Sequence, residues 1–119
     1  MGPFDGMHAL VAMLPLDARA RIIGQYRAGL DDLITQAGDL LNGANPADAQ
    51  APVHKLAGSA ALMRDENLSG MLREIENFLR AGEVVGARAV WPFALAAAGR
   101  TRAALEIYVD PPQVDPAQR

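Results

Sequence analysis

DENLSGMLREIENFLR, residues 65–80, is the stretch that decides the fold. Its large apolar residues recur at separations of three and four. At 3.6 residues per turn, this puts Leu68, Met71, Leu72, Ile75, Phe78 and Leu79 on one broad face of a helix. Asp65, ahead of the run, predicts the helix cap, and "AGE", residues 81–83, predicts the turn that follows. A helix this short is marginal alone, so a face this wide must be buried against other helices.

Those helices are legible on both sides. Upstream, Asp17 predicts the cap of a helix running to about Leu41, with Ile23, Tyr26, Leu30, Leu33, Ala37 and Leu40 as its buried stripe. "NGANP", residues 42–46, ends it, and Asn45–Pro46 predicts the start of a second helix to about Met63. Pro52 either bends that helix or marks its firm beginning, and Val53, Leu56, Ala60 and Met63 form its core face. Downstream, a helical segment runs from about Glu83 to Tyr108, with a kink or break expected at Pro92. Trp91 beside it is expected to plug the core. An apolar lead-in, Met7 to Leu14, precedes all of this, and "DPPQVDPAQR", residues 110–119, predicts a flexible tail. The expected fold is all-α. It is an antiparallel four-helix bundle with a short N-terminal helical lead-in, forming one domain over 1–119 with its core at about 16–109.

Composition narrows the function. A chain of 119 residues can bury a real core without metals or disulfides. It has no cysteine, which excludes Cys-based zinc sites and fits a reducing compartment. A net charge of −3 with no Lys/Arg block argues against nucleic acid as partner. The longest apolar run, Val90 to Gly99, is too short to span a bilayer, and the start of the chain lacks a targeting pattern. A cytoplasmic monomer with no membrane association is expected.

The chemistry-bearing residue is His54, one of two histidines. On the second helix its same-face neighbours are Ala57, Gly58 and Ala61, none larger than alanine. Gly58 costs roughly 1 kcal/mol relative to alanine in a helix, so something else favours it. One reading is tight packing between helices. The other is clearance for a bulky phosphoryl donor attacked by a neutral imidazole, whose second ring nitrogen is held by an orienting acceptor. The third helix offers Glu74 and Glu76, and Glu76 follows the core residue Ile75 at the seam. Its plainer role is a surface pair with Arg80. His8 lies among apolar residues without companions at ligand spacing, so a structural or surface role is expected and no metal site.

The pattern resembles the histidine-containing phosphotransfer (HPt) family, whose signature is similar to H-x-L-K-G-S followed by small residues and later an apolar–Glu pair. Here "HKLAGSAALM", residues 54–63, is followed by "LSGMLREIENFLRAGE", residues 68–83. The resemblance implies that His54 accepts a phosphoryl group from a receiver-domain aspartate and passes it to another receiver. Lys55, Gly58, Ser59 and Glu76 would support it. Two positions depart from the pattern: the family lysine three after the histidine is Ala57, and a glycine ten after it is Arg64. The lysine is associated with holding phosphoryl oxygens, so Lys55, Arg64 and Arg73 become the candidate phosphate or partner contacts. The implied partners are response-regulator receivers and a hybrid histidine kinase. Mg²⁺ is expected on the receiver alone, with no cofactor, ATP site or autokinase activity in this chain. The alternative is an interaction module that docks receivers or kinases without being phosphorylated. The lead-in residues Leu10 and Leu14 are candidates to border the docking surface.

Overall fold

The computed structural model describes residues 2–109, and the expected tail at 110–119 lies outside the described residues. Among the described residues the fold is all-helical, without a strand. Helix α1 spans Asp5–Met13, α2 Leu16–Leu41, α3 Gln50–Leu62, α4 Glu66–Arg80 and α5 Val84–Val109. A 3-10 turn, Pro46–Ala49, leads into α3. Helices α2 and α4 each pack on both α3 and α5. No described helix is long and apolar enough to cross a membrane.

The predicted stripes meet in one core. Ile23, Tyr26, Leu30, Leu33 and Ala37 of α2 are buried, as are Val53, Leu56, Ala60 and Met63 around α3 and Leu68, Leu72, Ile75 and Leu79 of α4. Met71 and Phe78 pack against that core without being fully covered. On α2 the last core position is Leu41 rather than Leu40, and Ile34 joins the stripe. Helix α5 adds Ala87, Trp91, Ala94, Ala98, Thr101 and Leu105, a stripe narrow enough for close approach. Trp91 is the expected core plug. It lies so near α2 that a Cβ on Gly38 would come within 3.2 Å of its ring.

Several helix ends differ from expectation. Pro15, not Asp17, occupies the cap of α2; Asp17 falls in the first turn, where its charge still suits the helix dipole. The second predicted helix begins as the 3-10 turn, and Pro52 lies in the first turn of α3, where a missing N–H breaks no helical bond. Helix α5 runs without a break through Pro92. The proline is on the exposed side, so the carbonyl it leaves unpaired is near solvent.

Helices α3 and α4 end alike. After α4, Gly82 has φ +73°, Glu83 N–H donates to Phe78 O (2.8 Å) and Gly82 N–H to Leu79 O (3.1 Å). This is the left-handed stop that glycine favours. After α3 the same pair of bonds runs from Asp65 N–H to Ala60 O (2.8 Å) and from Arg64 N–H to Ala61 O (3.1 Å). The left-handed residue there is Arg64, with φ 56°. The glycine expected ten residues after His54 is therefore a helix-stop position. Arg64→Gly should stabilise the fold by about 1 kcal/mol, because a side chain strains this conformation. Urea unfolding at equilibrium measures it, and a loss of stability would contradict the assignment.

Asp65 stands at the cap position of α4 but makes no side-chain capping bond. Its carboxylate, 1% exposed, instead accepts hydrogen bonds from Tyr26 Oη of α2 and Thr101 Oγ1 of α5, both at 2.7 Å to Oδ2. Burial first, and then the neighbouring Asp65 charge and hydrogen bond, push the Tyr26 phenol far above its ordinary range. The folded protein thus keeps this proton where the unfolded chain loses it. Above about pH 10 stability should fall by about 1.4 kcal/mol per pH unit from this group alone. Tyr26→Phe should remove that slope from denaturation curves taken between pH 9 and 11.

Helix α1 covers the end of the core at the α3–α4 turn. Met7 and Val11 are fully buried and Gly6 faces Arg64. Of the structural and surface roles open to His8, the structure favours the first: its Nδ1 lies 2.5 Å from Tyr108 Oη near the end of α5. Leu10 and Leu14 belong to this end cap, and His54 lies ten residues up α3 from Arg64, roughly 15 Å along the axis.

Candidate functional site

His54 is on the second turn of α3. Side chains on a helix lean toward its N-terminus, so this ring stands over the Gln50–Ala51 turn. There it borders an open depression of about 550 Å³ lined by Ala47, Asp48, Gln50, Ala51, Glu76 and Arg80. The imidazole is 70% exposed. Its Nδ1 lies 2.5 Å from Oε2 of Glu76, whose side chain is 6% exposed.

A carboxylate this buried is costly unless its oxygens are bonded. Glu76 has two donors on one oxygen: His54, and Arg80 through Nη2 at 3.0 Å. Arg80 can only donate, and a carboxylate oxygen bonded this way can only accept. Opposite a carboxylate Nδ1 is the donor, and in the neutral ring that leaves the Nε2 lone pair facing solvent. A neutral ring held this way has the geometry to act as a nucleophile through Nε2. His8 shares the short contact but is half-buried and meets a hydroxyl, not a carboxylate.

The small residues around His54 divide in a way the sequence left open. Gly58 and Ala61 are exposed, and a Cβ added to Gly58 would meet nothing. Tight helix packing is thus not the reason for Gly58. Ala57, by contrast, is 1% exposed and belongs to the core, so it is not part of the clearing. Ser69 Oγ of α4 reaches its carbonyl at 3.5 Å. The family lysine's position is filled by packing in this protein.

The remaining candidates scatter. Glu74 is exposed and makes no contact with the ring, so the structure selects Glu76 from the pair. Lys55 and Ser59 face α2, lining a separate depression with Gln25, Gly29 and Asp32. Ser59 Oγ donates back to Lys55 O at 3.2 Å. Arg73 is exposed on α4, one turn before Glu76, and Arg64 is at the far end of α3. Arg80 is the site residue that sequence reasoning passed over. Its separation of four from Glu76 is visible in the sequence, where it has the look of a surface pair. Among the described residues no cluster of three His, Cys, Asp or Glu could hold a metal.

The Hpt domain family model matches residues 21–107. The chain belongs to the Hpt domain family. The match runs from within α2 to near the end of α5 and leaves out α1, so His8 lies outside the family region. No curated protein and no solved structure matches the chain. Hpt domains serve phosphotransfer in two-component signalling, where they interact with receiver domains and histidine kinases.

Proposed function

We propose that this Hpt domain is a phosphorelay carrier with His54 as phosphoacceptor. The observation that carries the reading is the exposed imidazole held at Nδ1 by a buried carboxylate. Nε2 attacks the phosphorus of a receiver's aspartyl phosphate. The N–P bond forms as the P–O bond breaks, and the aspartate leaves as carboxylate with the electron pair. The ring gains positive charge, which Glu76 stabilises through the Nδ1–H bond, and no proton need leave. The reverse step delivers the group to a second receiver. Mg²⁺ and the acidic pocket belong to the receiver, so the carrier needs no cofactor of its own.

The partners on this reading are response-regulator receivers and a hybrid histidine kinase, met in the cytoplasm by a monomeric carrier. Four antiparallel helices, α2 to α5, would form the bundle, since short connections favour antiparallel neighbours. The docking face would run from His54 past Gly58 to Leu62, which is 80% exposed. Beside it an apolar groove of about 270 Å³ between α2 and α3 includes Ile22, Gly29 and Met63.

The test is incubation with a phosphorylated receiver domain, followed by mapping of acid-labile, base-stable phosphate. Label on His54 is expected. No label overturns the carrier reading and leaves a docking module; label elsewhere overturns His54 as the phosphoacceptor. Glu76→Ala should slow uptake about tenfold to a hundredfold, because the ring loses its fixed tautomer and orientation. Stopped-flow transfer from the receiver measures this. An unchanged rate would remove Glu76 from the mechanism.

A further inference from the structure

A phosphoryl group on His54 brings close to two negative charges to a rim that already carries Glu76 and Asp48. The counter-charge does not come from α3. Position 57 is a buried alanine, and Lys55 lies on the α2 side. Of the residues lining the depression beside His54, Arg80 is the cation.

Its placement is specific. The guanidinium reaches across from the last turn of α4 and donates from Nη2 to Glu76 Oε2 at 3.0 Å. That is the oxygen on which His54 Nδ1 also rests. One shared atom thus tethers the cation beside the imidazole. The Arg80 side chain is 55% exposed, and its single recorded bond uses one of five N–H donors. It has both the freedom and the spare donors to turn toward a new anion. A planar guanidinium suits phosphate, because two parallel N–H groups can meet two oxygens.

We propose that Arg80 is the phosphate-neutralising residue of this protein, taking the part that a lysine at position 57 would take. In the free protein it is parked on Glu76. When Nε2 carries the phosphoryl group, the guanidinium moves to the phosphoryl oxygens while Glu76 keeps the Nδ1–H bond. Arg80 makes and breaks only hydrogen bonds; the bond changes at phosphorus are those given above. The inference rests on His54 being the phosphoacceptor.

The experiment uses phosphoramidate, a small donor that needs no receiver, so docking does not enter. Wild type, Arg80→Gln and Arg80→Lys are phosphorylated, the donor is removed, and the decay of phosphohistidine is followed by ³¹P NMR. The ¹⁵N spectrum of the His54 ring is recorded on each unphosphorylated protein. Arg80→Gln should lose the phosphoryl group about tenfold faster, a solvent-screened fraction of what one preorganised donor supplies in a buried site. Arg80→Lys should recover part of the lifetime, and all three proteins should keep the Nδ1–H tautomer. Labelled wild type with an equal lifetime in Arg80→Gln overturns the role of Arg80 alone. A tautomer change in Arg80→Gln that accounts for the faster loss makes Arg80 a positioning residue and overturns direct contact. Absence of label on wild type sinks the phosphoacceptor reading, and this one with it.

Discussion

His54→Gln should take up phosphoryl groups at least about a thousandfold more slowly than wild type, which in practice is no uptake. Glutamine keeps a polar side chain of similar reach, and its amide N–H can still donate to Glu76. What it lacks is a basic ring nitrogen with a free lone pair, and no other described side chain near Glu76 has one. Because the imidazole is 70% exposed, the fold should hardly notice: the change in stability is expected within about 0.5 kcal/mol. Circular dichroism melts beside a labelling time course make the comparison. Equal labelling of the two proteins would place the phosphoacceptor elsewhere, and a collapsed melt would mean the residue is structural.

Asp65→Ala should be the most damaging single change to the fold. Tyr26 of α2 and Thr101 of α5 both donate to its Oδ2 at 2.7 Å, and all three residues are buried. Removing the acceptor strands two hydroxyls without a partner, and each hydrogen bond to a charged group contributes about 1.5–3 kcal/mol. A loss of about 3–5 kcal/mol is expected, a large share of the roughly 5–15 kcal/mol that holds a domain together. The melting temperature should drop by roughly 10–20 °C. Tyr26→Phe removes one donor and leaves the acceptor its second bond, so it should cost less than half as much. If Asp65→Ala unfolds within 1 kcal/mol of wild type, the network contributes little.

The two predictions concern residues of very different legibility. His54 and Glu76 could be paired from the chain because each lies at the edge of its own apolar stripe. An edge residue of one helix meets an edge residue of the next. Asp65 was legible as a helix start and nothing more. A carboxylate ahead of an apolar run is a common cap, and nothing local says that a tyrosine 39 residues earlier and a threonine 36 residues later will converge on it. Arg64 shows the reverse case. Its departure from the family glycine looked like a change at the site, yet the backbone shows a helix stop at that position.

What the sequence by itself determined was the angular order of residues around each helix. Periodicity fixed the stripes of α2, α3 and α4, and turn residues fixed most of the ends to within a residue or two. What only the tertiary structure decided was where each helix's zero of angle points. Ala57 and Gly58 flank His54 on its own helix, about 60° to one side and about 40° to the other. From the chain they are equivalent small neighbours. Once α3 is wedged between α2 and α4, one sector closes and the other opens, so Ala57 is core and Gly58 is solvent-facing. The same closure brings Glu76 under the imidazole and Arg80 to its rim. Those contacts depend on the rotation of one helix against another, which is set by the packing of the whole core and written in no single stretch.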